Sequence, residues 1–421
     1  MSGAKSRQIA TLEGQAWLQD PALHKVLEVL GGESGDATRV VGGAVRNALF
    51  ARPVRDIDLA TQLSPREVLA KAGKAGLKAV PTGIDHGTVT VIANGRPFEV
   101  TTLRLDIETY GRHARVAFTH DWAEDAARRD FTINALYADL NGKIHDPLGG
   151  LPDVAARHVR FIGDADARIS EDYLRVLRFF RLHAEYGAGA LDPAGLAACI
   201  RGRHGLAQLS AERLGQETRR LLGAGYPMES VAAMADTGII HELFAGMVYL
   251  SALEKLLRIE AALALEPDAM ARLAVLGCAV PEDADRLLAR LRLSRAEHGR
   301  LKAAAAHWRD MTPALGEEAR KIELYRGAEE VFRDRVLMSW SKRGGGAGDA
   351  GWADLFAFPA RWKAPQLPWR GADLKRMGIG PGPRVGAVLR EAEARWIAAG
   401  FPTDKRALDR LVGEAAAAIS G

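Results

Sequence analysis

Residues 41–61 read VGGAVRNALFARPVRDIDLAT, and this stretch indicates the class of the fold. Apolar residues lead into the glycine pair Gly42–Gly43, which is followed by a segment of helical composition. Asp56 and Asp58 come next and alternate with apolar residues, a spacing typical of a β-strand. Residues i and i+2 of a strand point to the same face, with Cα atoms about 7 Å apart. The sequence therefore predicts two neighbouring strands, one ending in a glycine turn and the other carrying two carboxylates.

The carboxylate pair and the glycine turn together suggest a particular chemistry. Asp56 and Asp58 can hold hard divalent cations, and magnesium prefers oxygen ligands completed by water and phosphate. The glycines let backbone N–H groups at a helix N-terminus approach a phosphate, and Arg46 adds a charged donor one turn later. Either feature alone would suggest only a tight turn or a solvated carboxylate pair. Their combination predicts nucleotidyl transfer with Mg²⁺ as the cofactor, held by Asp56 and Asp58.

Composition limits the other classes of protein. The chain has 421 residues, of which 48% are hydrophobic and 26% are charged, which predicts a globular protein of more than one domain. The N-terminus lacks an apolar segment of signal-peptide length, and no stretch approaches the roughly 18 apolar residues of a membrane span. Cys199 and Cys278 lie too far apart in the sequence for a close-set zinc motif. We expect a cytoplasmic protein with no membrane segment and no zinc.

The spacing of apolar residues changes along the chain, from the alternation typical of β-strands to the spacing typical of helices. Alternating patterns are concentrated before residue 150, and two of them flank Asn94–Gly95, a strong hairpin signal. Helical spacing dominates the rest, apart from the glycine-rich tract 343–349, which has the composition of a flexible linker. The fold class predicted is α+β. The expected domains are a mixed α/β head at 22–160, a helical neck at 161–225, a helical body at 226–342 and a helical tail at 352–421.

Several motifs occur in an order that resembles a known family. They lie at 41–46 with 55–61, at 128–136, at 146–150 and at 171–181. Together they resemble the bacterial CCA tRNA nucleotidyltransferases and poly(A) polymerases (class II) of the polymerase-β-like nucleotidyltransferase superfamily. The resemblance implies a polymerase-β-like head with a mixed sheet, an all-α neck, body and tail, tRNA as the partner, and CTP and ATP as substrates. Asn47 stands where the family commonly has Asp; it keeps an acceptor but loses a charge.

The motif at 171–181 can also be interpreted physically. Asp172 and Arg175 are spaced i, i+3, which predicts that both project from one face of a nucleotide-selecting helix. A carboxylate beside a guanidinium complements the amino donor and ring-nitrogen acceptor of cytosine or adenine, whereas uracil and guanine have the opposite polarity. Such a pair would select C and A without a template. Arg178 and Arg181 continue at three-residue steps and could reach phosphates or the pair itself.

Three further candidates concern the incoming nucleotide and the attacking group. By the resemblance, Asp130 lies near the ribose of the nucleotide and Arg129 near its ring or phosphates. Glu99, on the second strand of the predicted hairpin, is a candidate third carboxylate that activates the attacking 3′-hydroxyl. Alternation alone leaves open whether Glu99 shares a face with Asp56.

A glycine-punctuated turn at 373–386 carries the basic residues Lys375, Arg376 and Arg384. Its N–H groups and cations could bind RNA phosphates, or the segment could be a plain joint between helices. The formal charge of +4 and pI near 9.0 permit a polyanionic partner without requiring one.

The sequence leaves three functions open. The first is template-independent addition of CCA to the 3′ end of tRNA from CTP and ATP, with release of pyrophosphate. The second is an A-only activity, either a poly(A) polymerase or an A-adding tRNA enzyme. The third is a catalytically silent RNA-binding scaffold, which the presence of both metal aspartates and of the Asp172–Arg175 pair disfavours. The polar segment 106–115 resembles the flexible loop that C-to-A switching enzymes retain, which favours the first function.

Overall fold

The computed structural model describes residues 11–31, 36–110, 113–377 and 382–419, without the side chains of residues 106–116. The chain divides into two compact units, Met1–Met247 with Arg286–Arg292 and Val248–Asp285 with Leu293–Gly421. All the strands described belong to the first unit, and the described elements of the second are helical. The predicted α+β class, a mixed-sheet head followed by helices, is confirmed.

The strands of the described residues form two sheets. They are β1 (Thr38–Val41), β2 (Asp58–Thr61), β3 (Lys78–Gly83), β4 (Thr88–Ala93), β5 (Arg96–Thr102), β6 (Arg104–Tyr110), β7 (His113–Phe118), β8 (Tyr137–Ala138) and β9 (Ile144–His145). Seven of them make a sheet in the spatial order β3-β4-β5-β2-β1-β8-β9, and β6 pairs with β7 in a separate hairpin. This hairpin covers the polar segment 106–115, of which Gly111 and Arg112 lie outside the described residues.

Strand β2 is the centre of the larger sheet. It runs antiparallel to β1 and parallel to β5, so the end of β1 at Val41 lies beside the start of β2 at Asp58. The predicted neighbouring strands are therefore present. However, β2 begins at Asp58, and Asp56 lies in the connection that precedes it. The alternation of exposed and buried residues nevertheless extends back from Leu59 to Asp56.

The predicted hairpin around Asn94–Gly95 is also present, between β4 and β5. Asn94 and Gly95 have φ values of +50° and +77°, the left-handed conformation that a two-residue turn of this kind requires. Apolar residues of β4 are buried alternately, which fixes the register of the hairpin against the core. This register brings Glu99 of β5 next to Asp58 of β2.

The helices of the first unit precede those of the second along the chain, except that residues 286–291 of a later helix belong to the first unit. Those of the first unit are α1 (Pro21–Leu30), α2 (Gly43–Leu49), α3 (Pro65–Lys74), α4 (Trp122–Ala127), α5 (Leu151–Ala156), α6 (Ala165–Glu171), α7 (Leu174–Tyr186), α8 (Pro193–Gly202), α9 (Ala211–Leu222), α10 (Met228–Asp236) and α11 (Ile239–Phe244). They are followed by α12 (Leu250–Ala262), α13 (Ala269–Gly277), α14 (Pro281–Leu291), α15 (Arg295–His307), α16 (Glu317–Lys342), α17 (Ala350–Arg361), α18 (Gly371–Arg376), α19 (Pro383–Ala398) and α20 (Lys405–Ala418). Across the described residues, no helix combines the length and apolarity needed to cross a bilayer.

Helix α3 shows how local sequence fixes an element of the head. Ser64 caps its N-terminus: the Ser64 side chain accepts from the Glu67 N–H, and the Glu67 carboxylate accepts from the Ser64 N–H at 2.7 Å. Pro65 occupies the first helical position, where its missing N–H costs nothing. Val68 is buried in the core beneath the sheet. These capping interactions explain why the helix begins directly after Ser64.

The glycine-rich tract 343–349 lies within the second unit and connects α16 to α17. The rings of Trp340 and Trp352, one on each helix, stack with centroids 6.2 Å apart. Asp349 caps α17 by accepting from the Gly351 N–H at 3.0 Å. The tract is therefore a turn inside one compact unit and does not separate two of them; the four domain boundaries inferred from the sequence stay predictions.

Candidate active site

Two adjoining cavities lie at this part of the head. The larger cavity, of about 740 Å³, opens where the end of β1 meets the start of β2. The sequence-predicted residues that line it are Gly42, Gly43, Arg46, Asp58, Glu99, Arg129, Asp130, Asp172, Arg175, Arg178 and Arg181. Asp56 lines an adjoining cavity of about 490 Å³, the smaller cavity, which shares Gly43, Arg46, Asp58 and Arg220 with the larger one. The fold thus gathers residues from 42 to 181 around one opening.

The glycine turn at the end of β1 has a backbone that requires glycine. Gly42 has φ +67° and ψ −115°, outside the regions open to other residues, and α2 begins at Gly43. A Cβ at Gly42 would lie 3.6 Å from Arg129 Nη1 and from the Asn134 carbonyl oxygen. The turn therefore combines a positive φ with close packing over Arg129, at the mouth of the cavity.

The carboxylates at the start of β2 and on β5 lie side by side. Asp58 and Glu99 are paired in register on adjacent parallel strands and line the same cavity, which answers the question of which face Glu99 occupies. Burial raises the pKa of Asp58, and the nearby charges of Glu99 and Asp56 raise it further, against a smaller opposing effect of Arg129. Mutually repelling oxygen donors fit a hard divalent cation, which would relieve this repulsion.

Arg129 is held beneath the glycine turn by a buried carboxylate. Asp125 of α4 is 1% exposed and accepts hydrogen bonds from Arg129 Nη2 and Arg128 Nε, both at 2.9 Å, and from the Tyr137 hydroxyl at 2.8 Å. Burial lowers the pKa of Arg129, but the charges and hydrogen bonds of Asp125 and Tyr137 together raise it overall. Arg129 is therefore a fixed positive charge beside the carboxylates.

Asp130 is buried and already satisfied by protein donors. Its Oδ1 accepts from Asn134 Nδ2 at 2.9 Å and its Oδ2 from Arg178 Nε at 2.7 Å. Asn134 in turn accepts from Arg46 Nη1 at 2.5 Å. A continuous set of hydrogen bonds therefore links Arg46 at the glycine turn to Arg178 on α7, with Asp130 in its middle.

The nucleotide-selecting helix differs from the prediction in its local structure. Asp172 lies before α7, which begins at Leu174, and has an extended backbone with φ −156°. The expectation that Asp172 shares a helical face with Arg175 is therefore wrong. The Asp172 carboxylate accepts from Arg213 Nη2 of α9 at 2.6 Å, while Arg175 binds Glu171. Both pairs nevertheless line the larger cavity.

Arg181 is committed to other partners. It is 6% exposed, and it donates to Glu217 at 2.6 Å and to Glu185 at 2.8 Å. With both carboxylates in contact, its charge is largely neutralised, so Arg181 is better suited to bracing α7 against α9 than to binding a phosphate.

Comparisons with protein-family models and with known proteins agree with the function that this geometry suggests. A family model for the poly A polymerase head domain matches residues 38–160, and one for the "Probable RNA and SrmB- binding site of polymerase A" matches residues 190–250. The mitochondrial CCA tRNA nucleotidyltransferase 1 of Danio rerio is 32% identical over 367 residues, which are 85% of this chain and 83% of that protein. The chain belongs to the CCA tRNA nucleotidyltransferase family.

A bacterial sequence and a bacterial crystal structure support the same assignment. The CCA-adding enzyme of Geobacillus stearothermophilus is 39% identical over 224 residues, 53% of each chain. The crystal structure of the Bacillus stearothermophilus CCA-adding enzyme in complex with CTP superimposes with a TM-score of 0.71 at 28% identity, covering 94% of this chain and 98% of that one. The resemblance inferred from the motifs, and with it a nucleotidyltransferase activity, is confirmed.

Two residues that shape the site, Arg213 and Asp125, were not identified from the sequence of this CCA tRNA nucleotidyltransferase family member. A signal for Arg213 was present, because Arg213, Glu217 and Arg220 are spaced i, i+4, i+7 and form a charged stripe along α9. Asp125 gave no comparable signal: a single acid near a helix start is usually solvated, and only tertiary packing buries it.

Asn47, the departure from the family's usual Asp, joins the glycine turn to α7. Its Oδ1 accepts from Arg46 Nη2 at 3.1 Å and from the Tyr186 hydroxyl at 2.8 Å, and its Nδ2 donates to the Pro53 carbonyl at 3.2 Å. An amide satisfies all three contacts, since it offers both an acceptor and a donor. Local hydrogen bonding therefore survives the exchange of Asp for Asn.

The predicted RNA-binding cations lie in the second unit. Lys375 and Arg376 are exposed at the end of α18, where Arg376 pairs with Asp373, and Arg384 is exposed near the start of α19. Residues 378–381 of the glycine-punctuated turn lie outside the described residues. A role for these cations in RNA binding stays a prediction.

Replacing Asp125 with Asn should lower the free energy of unfolding by about 3 kcal/mol, because two arginines lose a buried counter-charge. Burial raises the pKa of Asp125, but the charges of Arg129 and Arg128 and the hydrogen bonds from Arg129 and Tyr137 together lower it from 3.8 to about 2. The stabilisation is therefore complete above pH 3.8 and is lost as the pH falls towards 2. Urea unfolding at a series of pH values should show a shallower acid loss in the variant.

Asp166→Asn is the matched control, since Asp166 also pairs with an arginine, Arg201, but with both side chains more than half exposed. It should leave the stability close to that of the unmodified protein, because solvent screens an exposed ion pair. An acid dependence in Asp125→Asn equal to that of the unmodified protein would contradict the assignment of the charge to Asp125.

Proposed function

We propose that this protein adds cytidine, cytidine and adenosine to the 3′ end of tRNA without a nucleic-acid template, using CTP and ATP and releasing pyrophosphate. One observation carries the proposal: the larger cavity is lined both by the carboxylates Asp58 and Glu99 and by two carboxylate–arginine pairs, Glu171 with Arg175 and Asp172 with Arg213. The first arrangement suits phosphoryl chemistry, and the second suits reading a base. Relatives that align over most of this chain are named for the same activity.

The metal site is part of the proposal. Asp56 and Asp58 would hold Mg²⁺, with Glu99 beside Asp58 as a further oxygen donor. The ion would supply Lewis-acid stabilisation of charge on the transferred phosphate. A carboxylate set whose charges raise the pKa of one of its own members supports this assignment.

The protein's own residues would position the reacting groups. Gly42 and Gly43 bring backbone close to the triphosphate, and Arg129, fixed by Asp125, places a positive charge where phosphate oxygens gain negative charge. Glu99 would accept the proton of the attacking 3′-hydroxyl. Asp130 already accepts hydrogen bonds from Arg178 and Asn134, so we assign it to holding these two side chains in position. Any contact of Asp130 with the ribose would leave these hydrogen bonds in place.

Base selection would depend on Asp172, Arg175 and Arg213. Asp172 offers acceptors to an exocyclic amino group and Arg175 offers donors to a ring nitrogen, as cytosine and adenine require. Arg213 holds the Asp172 carboxylate in position through a 2.6 Å hydrogen bond. Uracil and guanine would leave these charged groups badly paired, which is how polar sites reject a wrong substrate.

We also propose the cytoplasm as the compartment and the second unit as a contributor to tRNA binding. Cys199 and Cys278 are both buried thiols, which suits a reducing compartment. Lys375, Arg376 and Arg384 provide exposed positive charge that could bind RNA phosphates without reading bases.

The test supplies purified protein, Mg²⁺ and labelled CTP or ATP with three tRNAs, ending at the discriminator base, after one C, or after two. CMP should enter the first two and AMP only the third, and EDTA should abolish all transfer. AMP transfer without any CMP transfer would replace the proposal by the A-only alternative. No transfer from either nucleotide, with tRNA still bound, would favour the scaffold.

A further inference from the structure

The second unit contains a cavity of about 490 Å³, the acidic cavity, that nucleotide transfer leaves unexplained. Its walls come from α12, α13, α15, α16 and α17 and from the connection between α12 and α13. Two arginines and several apolar side chains line it together with six carboxylates: Glu260, Glu266, Asp268, Glu329, Glu330 and Asp334. A cavity of this size can enclose a small organic molecule, and its charge favours a cation.

Two of the six carboxylates are balanced by cations of the protein. Glu260 is paired with Arg272 at 2.6 Å, and both side chains are buried. Glu329 is paired with Arg333 and with Lys363, each at 2.9 Å. These two carboxylates therefore need no ligand.

The other four carboxylates have a single arginine among them. Arg300 of α15 contacts Asp334 at 2.6 Å and Asp268 at 2.5 Å, and it also contacts Glu330 at 2.7 Å. Glu266 is exposed, and in the part of the chain that the structure describes its side chain makes no hydrogen bond or ion pair. The group therefore carries more negative charge than Arg300 neutralises, although the chain as a whole has a formal charge of +4.

Asp334 shows the consequence of this imbalance. It is 2% exposed, and burial raises its pKa to about 6. The charges of Asp268 and Glu330 act in the same direction as burial, against the opposing hydrogen bond and charge of Arg300. A second cation in the cavity would therefore stabilise the ionised form of a carboxylate that Arg300 alone stabilises incompletely.

The carboxylates of the acidic cavity do not converge as the ligands of a metal ion do. A divalent ion needs several oxygen ligands directed at one point. Across the described residues, one group of three potential metal ligands has donor atoms within 4.8 Å of one another, Asp36 with Asp139 and His145, and it belongs to the first unit. The acidic cavity therefore suits a ligand whose positive charges are spread along its length.

Apolar side chains lie beside these charges. Glu330, Asp334 and Leu337 are spaced i, i+4, i+7, which places them in line on one face of α16. Leu265 precedes Glu266 in the connection between α12 and α13, and both line the cavity. The two leucines can cover methylene groups of a ligand while its cationic groups reach the carboxylates.

We propose that the acidic cavity binds a linear polyamine, whose ammonium groups pair with the carboxylates around Arg300 and whose methylene groups lie against Leu265 and Leu337. Such a molecule combines the two properties that the cavity requires, several positive charges and an apolar stretch between them. The site lies within the second unit, and the inference does not depend on the proposed function.

Isothermal titration of the tRNA-free protein with spermidine tests the proposal. One molecule should bind per chain, and a double variant, Glu266→Gln with Glu330→Gln, should raise the Kd about tenfold, because two carboxylates lose their charge. Both residues are exposed, so the variant should fold. The affinity of the unmodified protein should also fall as the pH is lowered through about 6, where Asp334 takes up a proton.

The matched control is Glu254→Gln with Glu317→Gln. Both are exposed glutamates of the second unit that lie outside the acidic cavity, and each is paired with a cation. This double variant removes the same charge and should leave the Kd for spermidine unchanged.

Hexaamminecobalt(III) separates the contribution of charge from that of the methylene groups. It carries the same charge as spermidine but has no methylene groups, so it should bind at least about tenfold more weakly. Equal binding of the two cations would show that the cavity attracts charge alone and would overturn the inference. Absence of saturable spermidine binding, or an equal Kd in the Glu266→Gln, Glu330→Gln variant, would overturn it as well.

Discussion

Asp58→Asn and Asp56→Asn should each reduce transfer of CMP and AMP by at least about a thousandfold, because metal ligation and transition-state charge stabilisation are lost together. Asn keeps the size of the side chain and one oxygen but removes the charge that attracts Mg²⁺. In Asp58→Asn, removal of one member of a repelling cluster should leave thermal stability unchanged or slightly raised. Single-turnover transfer with saturating tRNA measures the loss directly.

The control for these variants is Asp236→Asn, an exposed aspartate at the end of α10 that lines neither cavity. It should retain full activity. All three variants should bind tRNA with unchanged Kd in a gel-shift assay, since the substitutions remove no phosphate-binding cation. Activity of Asp58→Asn within tenfold of the unmodified protein would refute the metal assignment.

The second large effect concerns base selection. Asp172→Ala and Arg213→Ala should each lower the preference for CTP over UTP in kcat/KM by about 10- to 100-fold, the range expected for loss of a well-paired polar contact. Because Arg213 acts by holding the Asp172 carboxylate, the double variant should be no less selective than Asp172→Ala alone. Parallel single-nucleotide assays with CTP, ATP, UTP and GTP measure the preference.

Arg201→Ala serves as the control, since it breaks an exposed aspartate–arginine pair on α6 and α8. It should leave the preference unchanged. If the effects of Asp172→Ala and Arg213→Ala were additive in free energy, the two side chains would act independently, and a positioning role for Arg213 would be ruled out.

The features that the sequence predicted well are those with short-range causes. The hairpin follows from Asn94–Gly95, whose backbone preferences fix a two-residue turn. The glycine turn follows from Gly42, the residue that tolerates its φ of +67°. In each case the decisive interaction lies within a few residues along the chain.

The pairings within the site could not be predicted in this way. Asp172 was expected to pair with Arg175, three residues on, but its partner is Arg213, 41 residues away on another helix. The i, i+3 rule applies only inside a helix, and α7 begins after Asp172. Likewise, whether Glu99 faces Asp58 depends on the register of β5 against β2, which alternation along one strand leaves undetermined.

The sequence alone determined the family, the α+β class and the carboxylate pair Asp56 and Asp58, because motif order, local periodicity and turn chemistry are written in consecutive residues. Tertiary structure alone decided which distant charges neutralise each other: Asp130 with Arg178, and Asp172 with Arg213. The reason is physical. Burial makes each charge costly unless a partner of opposite sign is within hydrogen-bonding distance, and the folded arrangement of helices and strands determines which partner that is.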